Sequence, residues 1–193
     1  MHIAWVGDSI TVGSSAIASR LLRDSQSLIR ITALAKVGAP LPWMAGQRVP
    51  DDADVVVLAG GTNDLVGVSA EEAFKRLKET RAALQSSGKK VIVATIPPSV
   101  ARTDKTEKYN ALIRSLPPSE FIDTGGKLSL QEISSDGVHP SKSGYDRLAS
   151  LYVEAFQGFG KSWFSYWPWA LGGVVSGVVA HLVWLRVGRK GKS

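Results

Sequence analysis

Short apolar runs alternate with helix-like segments five times in the first 157 residues, and this alternation restricts the possible folds of the chain. The run from Ala53 to Ala59 is rich in valine, which is typical of a strand buried on both faces of a sheet. Strands that alternate with helices build a parallel sheet with a layer of helices on each face. The sequence therefore predicts an α/β protein with a five-stranded parallel sheet. The predicted strands cover residues 3–6, 27–35, 53–59, 91–94 and 120–123.

The predicted helices fill the segments between these strands, and residue types at their ends mark the boundaries. Ser69 followed by Glu71 and Glu72 is typical of a helix N-terminus. Further along the chain, Pro117-Pro118 ends a different helix, which is predicted to begin at residue 106. We expect helices over residues 14–22, 69–87, 106–116 and 141–156, and a loop over residues 37–50.

Small or polar residues follow three of the predicted strands. Ser9 comes soon after the first strand, Gly38 after the second and Asn63 after the third. In an open parallel sheet the ligand crevice lies at the carboxyl ends of the strands. We therefore expect these three residues to share one edge of the sheet, although they are far apart in the sequence.

Ser9, in the segment Gly7-Asp8-Ser9, lies at a predicted strand-to-helix turn, where a serine hydroxyl can stand clear of the sheet. It offers a nucleophile. His139 offers a base, because an imidazole changes its charge close to neutral pH. Asp136, three residues earlier in the same loop, can orient the imidazole and fix its tautomer. The pattern therefore predicts a serine-type ester hydrolase whose catalytic residues are Ser9, His139 and Asp136.

Acyl transfer also needs hydrogen-bond donors for the oxyanion that forms during the reaction. The predicted donors are the backbone N–H groups of Ser9 and Gly38 and the side-chain amide of Asn63. Glycine at position 38 permits a substrate to approach the backbone closely. Asp64 is expected to accept hydrogen bonds from turn N–H groups rather than to react.

Each of these residues also has a purely structural interpretation. Asp8 and Ser9 could form a turn and cap a helix, and Asn63 could satisfy N–H groups of a turn. Asp136 and His139 could be a loop aspartate and a helix-cap histidine. The presence of all these segments in one chain favours the catalytic interpretation, with Asp8 bracing the turn that carries the nucleophile.

The segments resemble the four signature blocks of the SGNH (GDSL-type) hydrolases. The blocks are Gly7-Asp8-Ser9, Gly38, Gly61-Thr62-Asn63-Asp64 and Asp136-Gly137-Val138-His139-Pro140. The resemblance covers residues 1–157 and implies a three-layer α/β/α sandwich of flavodoxin-like type. It also implies metal-independent ester hydrolysis through an acyl-enzyme. Members of this family include carbohydrate O-acetylesterases, lysophospholipases, thioesterases and broad arylesterases.

Cysteine is absent, which excludes disulfides, thiolate metal sites and cysteine nucleophiles. The three histidines, His2, His139 and His181, are far apart in the sequence, and this argues against a zinc site built from several histidines. We therefore expect neither a metal nor another cofactor.

Positive charge is concentrated at the C-terminal end of the chain. Residues 1–160 hold 18 Lys and Arg against 17 Asp and Glu, whereas residues 161–193 hold five Lys and Arg and no acidic residue. The excess lies beside an apolar run, so it indicates a membrane rather than a nucleic acid as the partner. Residues 163–185 contain no Asp, Glu, Lys or Arg, and a helix of this length is about 34 Å long, close to the thickness of a bilayer.

The chain is therefore predicted to consist of an esterase domain (1–157), a linker (158–162), a transmembrane helix (163–187) and a basic tail (188–193). The alternative is a hydrophobic helix that is buried or covered by a partner. Gly173 and Gly177 have the small-xxx-small spacing that favours self-association of membrane helices. The basic tail favours a cytoplasmic C-terminus, yet no N-terminal leader is visible to export the enzyme domain, so the side of the membrane stays open.

The sequence thus predicts a membrane-tethered serine ester hydrolase with a single C-terminal anchor. The expected substrate is an acylated carbohydrate or another small-acyl ester. A lysophospholipase or thioesterase that acts on an acylated lipid or thioester is the first alternative. Two others are a catalytically silent binding module and a membrane-active protein in which the tail is the functional part.

Overall fold

The computed structural model of the protein describes residues 1–159. Contacts divide the chain into two units, Met1–Ala155 and Phe156–Ser193, and the first contains the sheet and every residue predicted to react. Of the second unit the structure describes residues 156–159, which are helical. The predicted transmembrane helix and basic tail, and most of the predicted linker, lie outside the described residues. Within residues 1–159, no helix is long and apolar enough to cross a bilayer.

Five parallel strands form one sheet in the order β2-β1-β3-β4-β5, which confirms the predicted α/β architecture. Gly7 at the end of β1 pairs with Ala35 in β2 and with Ala59 in β3. The first three strands therefore end level with one another, and the turns that follow them begin at the same edge. The strands are β1 (His2–Gly7), β2 (Arg30–Ala35), β3 (Val55–Ala59), β4 (Lys90–Ala94) and β5 (Phe121–Ile122).

Helices cover both faces of this sheet. The helices are α1 (Ser9–Asp24), α2 (Leu41–Ala45), α3 (Ala70–Gln85), α4 (Thr103–Arg114) and α5, which begins at residue 142 and is described through residue 159. Ala4 and Val6 of β1 belong to a buried cluster with residues of α2, α3 and α4. Trp5 points to the opposite face, because side chains alternate along a strand. There its ring centroid lies 4.1 Å from that of Tyr152 in α5.

Two helices begin earlier than predicted, and one helix was not predicted at all. α1 begins at Ser9 rather than at residue 14, and α4 begins at Thr103 rather than at residue 106. α2 lies in the segment that was predicted to be a loop. Pro42 is the second residue of α2, where a helix tolerates proline because the missing N–H would have had no acceptor.

Candidate active site

Ser9 lies at the turn between β1 and α1, where the helix begins one residue after Asp8. Asp8 caps α1, and its Oδ1 accepts a 3.0 Å hydrogen bond from the N–H of Ile10. Ser9 is therefore the first residue of α1, and its N–H has no acceptor within the helix. Nor does this N–H donate to any other residue in the range 1–159. The cap thus braces the turn and leaves the N–H of Ser9 available to a ligand.

The side chains of Ser9, His139 and Asp136 form one hydrogen-bonded series, although the first two are 130 residues apart. Ser9 Oγ lies 2.9 Å from His139 Nε2, and His139 Nδ1 lies 2.7 Å from Asp136 Oδ2. A carboxylate only accepts hydrogen bonds, so Nδ1 of the neutral ring carries the hydrogen and Nε2 keeps a lone pair. In this arrangement the ring can accept the proton of the Ser9 hydroxyl.

The loop around Asp136 keeps its carboxylate charged. Oδ1 accepts hydrogen bonds of 2.9 Å from the N–H groups of Val138 and His139, and one of 2.8 Å from the Ser134 hydroxyl. These two N–H groups, followed by the hydrogen bonds from the His139 ring and Ser134, hold the pKa of Asp136 well below its usual range. Asp136 therefore remains an acceptor at neutral pH and fixes the orientation of the imidazole.

The two other predicted oxyanion donors, Gly38 and Asn63, follow β2 and β3. Gly38 has a φ of 73°, and its N–H donates to no other residue that the structure describes. Asn63 Nδ2 donates a 3.1 Å hydrogen bond to the carbonyl of Ala39. An amide nitrogen carries two hydrogens, so this bond orients the amide and leaves one hydrogen for a ligand. The oxyanion role of both residues stays a prediction.

Asp64 joins the loops that carry Gly38 and Asn63. Its Oδ2 accepts a 2.9 Å hydrogen bond from the N–H of Leu41, at the start of α2. Arg76 Nη1 lies 3.4 Å from Oδ1 and supplies the opposite charge to this fully buried side chain. The expected acceptor role of Asp64 is present, but the N–H belongs to the neighbouring loop and not to its own turn.

His2 lies outside this site, at the amino end of β1. Its ring nitrogens lie 3.0 Å from Asp52 Oδ1 and 2.8 Å from Thr32 Oγ1. The catalytic candidates lie at the carboxyl ends of the strands, so His139 is the one histidine in the described range that belongs to the site. His181 lies outside that range.

The family model of the GDSL-like lipases and acylhydrolases matches residues 5–147 of the chain. The match spans β1 to β5 and includes Ser9, Asn63, Asp136 and His139. The chain belongs to the GDSL-like lipase/acylhydrolase family. This membership confirms the resemblance that the four sequence blocks indicated.

Solved structures of other proteins share the fold of this GDSL-like enzyme. A carbohydrate esterase family 3 protein from Talaromyces cellulolyticus is 16% identical with a TM-score of 0.69, over 84% of this chain and 99% of that chain. An acetyl xylan esterase, AlAXEase, is 20% identical with a TM-score of 0.68, over 80% and 99% of the two chains. At these identities the likeness establishes the fold alone.

A multidomain esterase of Ruminococcus flavefaciens is also similar to the GDSL-like enzyme. The two are 27% identical over an alignment of 125 residues, and the match covers 56% of this chain and 16% of the relative. The chain therefore spans about one sixth of the length of that relative.

Asp8, in this GDSL-like site, has a buried carboxyl group that is not part of the hydrogen-bonded series Ser9–His139–Asp136. Asp8 is 2% exposed, and burial raises the pKa of its carboxyl to about 6. The N–H of Ile10, the nearby Thr62 hydroxyl and the electrostatic effect of the nearby His139 ring each lower this pKa in part. Asp8 Oδ2 and Thr62 Oγ1 are both buried, and neither meets full hydrogen-bond geometry with a described residue. Asp8 is therefore ionised at neutral pH at a cost in stability.

Asp8→Asn is expected to stabilise the enzyme at pH 8 but not at pH 4. Asn keeps the oxygen that caps α1 and removes the charge. The Asp8 carboxyl has a pKa of about 6 in the folded state, compared with the ordinary aspartate value of 3.8 in the unfolded chain. The folded state therefore binds more protons between these two pH values, and wild-type stability falls as the pH rises through this range. Two pKa units correspond to about 3 kcal/mol. Urea unfolding measures the free energy of unfolding of both proteins at both pH values. The difference between the variant and the wild type should be about 2–3 kcal/mol more favourable to the variant at pH 8 than at pH 4.

The matched control for this comparison is Asp24→Asn, which removes an exposed charge from the other end of α1. The comparison separates the effect of burial at Asp8 from the effect of removing an exposed negative charge from the same helix. An Asp8→Asn difference that is the same at pH 4 and pH 8 would contradict the effect of burial.

Ser99 and Val100, in the loop after β4, contribute to the site and were missed by the sequence analysis. Ser99 Oγ and the N–H of Val100 both donate to the carbonyl of Gly137, next to Asp136. The partner of both groups is a backbone atom, so no pattern of side-chain types could reveal the contact.

Proposed function

We propose that the chain hydrolyses carboxylic esters through an acyl-enzyme, with Ser9 as the nucleophile and His139 as the base. The observation that carries this proposal is the hydrogen-bonded series Ser9–His139–Asp136. A serine, an imidazole and a carboxylate in this order form the arrangement that activates a hydroxyl group for acyl transfer. The proposed reaction needs no metal and no cofactor.

In the first half-reaction, Ser9 Oγ attacks the ester carbonyl carbon while its proton moves to His139 Nε2. The carbonyl π electrons move to the oxygen, which becomes the oxyanion. Collapse of this intermediate breaks the bond to the alcohol oxygen, and the departing alcohol takes the proton from His139. Water then attacks the acyl-enzyme with His139 again as the base, which releases the carboxylic acid and restores Ser9.

The oxyanion is proposed to bind the N–H groups of Ser9 and Gly38 and the free amide hydrogen of Asn63. Support comes from the two backbone N–H groups, which donate to no residue in the described range, and from the fixed amide of Asn63. Donors that are already oriented stabilise the developing charge without reorganisation. The hydrogen bond from Leu41 to Asp64 holds the two donor loops together.

For the substrate, we propose an O-acetylated carbohydrate or another ester of a small acyl group. Two of the solved structures, a carbohydrate esterase and an acetyl xylan esterase, share the fold over at least 80% of this chain. This similarity supports the proposal. The test is a panel that compares acetylated xylan oligosaccharides with esters of longer acids at equal concentration. Turnover of the acetylated sugars should exceed that of the longer esters. The reverse order would reject this substrate class.

Exposed valines near the site favour a second candidate, a substrate with a longer acyl chain. Three of these valines lie within three residues of Ser9, Gly38 or Asn63 in the sequence. The fourth, Val100, donates its N–H to the loop that carries His139. Two of them line an open cleft of about 670 Å³. Apolar side chains that line a cleft can bind an acyl chain as well as a sugar face. The valines, with their exposed fractions, are Val12 (43%), Val37 (69%), Val66 (66%) and Val100 (58%).

Polar substitution in this cleft distinguishes the two candidates. If the acyl chain lies in the cleft, Val66→Ser should lower kcat/KM for p-nitrophenyl octanoate more than for p-nitrophenyl acetate. Leu28→Ser is the matched control, because Leu28 is 93% exposed and lies at the amino ends of the strands, whereas the candidate site lies at their carboxyl ends. An unchanged ratio between the two esters in Val66→Ser would reject the longer-chain candidate.

We also propose that residues 163–187 tether the enzyme to a membrane, with Gly173 and Gly177 as a pairing face. A chain truncated after Gln157 is expected to be soluble and to keep its turnover of small esters, because every proposed catalytic residue precedes that point. The full chain should remain in the membrane fraction through a carbonate wash. Release of the full chain by this wash would reject the tether.

A further inference from the structure

The loop of residues 134–139, which carries Asp136 and His139, is bonded mainly to itself. The N–H of Ser134 donates to the His139 carbonyl, and the N–H of Gly137 donates to the Ser134 carbonyl. The Asp136 carboxylate accepts four further hydrogen bonds from within the loop. The side chains of His139 and Asp136 are 39% and 50% exposed, so little packing constrains them. The loop is therefore held together internally. Its position depends on its two ends, where Ile133 and Pro140 form a β-bridge, and on its contacts with other segments.

This loop has two hydrogen-bonded attachments to the rest of the described chain. One is the contact between His139 Nε2 and Ser9 Oγ, which is the pair proposed to react. The other is the carbonyl of Gly137, which accepts a 2.8 Å hydrogen bond from the N–H of Val100 and a 3.1 Å hydrogen bond from Ser99 Oγ. The Gly137 carbonyl is thus the one hydrogen-bonded anchor that is independent of the reacting atoms.

Ser99 is suited to hold this anchor because its own position is fixed. It is 2% exposed, and its carbonyl accepts hydrogen bonds from the Thr103 hydroxyl at 2.9 Å and from the N–H of Arg102 at 3.2 Å. These residues form the start of α4. The hydroxyl of Ser99 therefore connects the His139 loop to α4 and to the core below it.

The backbone at Gly137 leaves little space for movement against this anchor. Gly137 has a φ of 72°, a conformation that side-chain-bearing residues rarely adopt. A Cβ at this position would lie 3.3 Å from Val100 Cβ. The loop and the segment after β4 are therefore in close contact at the point where the two hydrogen bonds form.

We infer that Ser99 is a positioning residue for the Asp136–His139 pair. Its hydroxyl, together with the N–H of Val100, holds the Gly137 carbonyl so that His139 Nε2 stays within hydrogen-bond distance of Ser9. The inference rests on the proposed function for its effect on turnover. A displacement of the order of 1 Å is enough to disrupt proton transfer between a base and a nucleophile. Ser99 thus acts on the reaction through His139 and does not touch the substrate.

Ser99→Ala removes one of the two hydrogen bonds and leaves the backbone unchanged. We expect kcat on p-nitrophenyl acetate to fall about tenfold with KM nearly unchanged, because one hydrogen bond positions the base and does not bind substrate. Gly137→Ala places a Cβ 3.3 Å from Val100 Cβ, at the same contact between the loop and the segment after β4, and should also lower kcat at unchanged KM. The matched control is Ser115→Ala, which removes an exposed serine hydroxyl that donates to the Leu112 carbonyl at the end of α4. Its kcat should equal that of the wild type.

Hydrogen exchange followed by mass spectrometry gives a readout that does not depend on turnover. Peptides that contain residues 134–139 should exchange faster in Ser99→Ala than in the wild type, and exchange in Ser115→Ala should be unchanged. If the wild type is inactive on every ester while exchange still accelerates, the proposed function fails and the positioning role stands. Unchanged exchange, a kcat within twofold of the wild type, or a loss confined to KM would each overturn the positioning role.

Discussion

Ser9→Ala is expected to lower kcat for ester hydrolysis on the order of 10³-fold or more. Ser9 Oγ is the atom proposed to form the acyl-enzyme, and alanine has no nucleophile to replace it. The N–H of residue 9 remains in the variant, because Asp8 still caps α1 through Ile10. The loss should therefore appear in kcat rather than in substrate binding, and initial rates on p-nitrophenyl acetate measure it.

Ser15→Ala is the matched control for this loss. Ser15 lies in the same helix, and its hydroxyl donates a long 3.4 Å hydrogen bond to the Val12 carbonyl of that helix. Its removal changes the same chemical group close to Ser9 and leaves the proposed nucleophile intact. Equal losses in Ser9→Ala and Ser15→Ala would mean that α1 had been disturbed and that Ser9 had no special role.

Asn63→Ala is expected to lower kcat by about 10²–10³ with little change in KM, because an oxyanion donor acts mainly on the charge that develops in the transition state. The substitution also removes the hydrogen bond to the Ala39 carbonyl. The neighbouring bond from Leu41 to Asp64 still connects the two loops, so the backbone donor of Gly38 should stay in place. Steady-state kinetics on the same ester separates kcat from KM.

Asn110→Ala tests whether the loss of any buried amide has this effect. The Asn110 side chain forms hydrogen bonds with both backbone groups of Ile96 and, among the described residues, forms none with the loops that carry Gly38 and Asn63. It should lower stability and leave the kcat of the folded fraction close to the wild-type value. An Asn63→Ala variant with a raised KM and an unchanged kcat would show that Asn63 binds the substrate in its ground state.

The parts of the fold that sequence reasoning predicted are those that depend on apolar burial over several residues. The valine run of β3 is fully buried, and the strands of the parallel sheet lie within a few residues of the predicted ranges. The common edge of Ser9, Gly38 and Asn63 followed from the rule that parallel strands end together. The pairing of His139 with Ser9 followed from the chemistry of the two side chains and from the family resemblance, because two residues that are 130 positions apart carry no local signal of their proximity.

The parts that sequence reasoning missed depend on contacts between distant segments. Thr11, Val12 and Gly13 are poor helix formers, so the sequence places the start of α1 too late. In the structure Gly13 lies against α5, and a Cβ there would lie 2.5 Å from a ring carbon of Tyr145. This packing requires glycine and overrides its low helix propensity.

The partner of Asp64 and the role of Ser99 had no sequence signal for a related reason. Each side chain bonds a backbone group in a different loop, namely the N–H of Leu41 and the carbonyl of Gly137. Every residue carries such a backbone group, so the pairing depends on the fold and not on residue type. The orientation of the two loops must be known before either contact can be predicted.

The proposed nucleophile is tested most directly by locating the adduct of a fluorophosphonate probe on the full chain. The probe phosphonylates a serine hydroxyl that an adjacent base activates, with loss of fluoride. Mass spectrometry of the digested protein should find one adduct, on the peptide that contains Ser9, and labelling should parallel the loss of esterase activity. The Ser9→Ala protein should remain unlabelled. Labelling of Ser9→Ala at the wild-type rate, or inactivation of the wild type with the adduct on another residue, would contradict the assignment of Ser9.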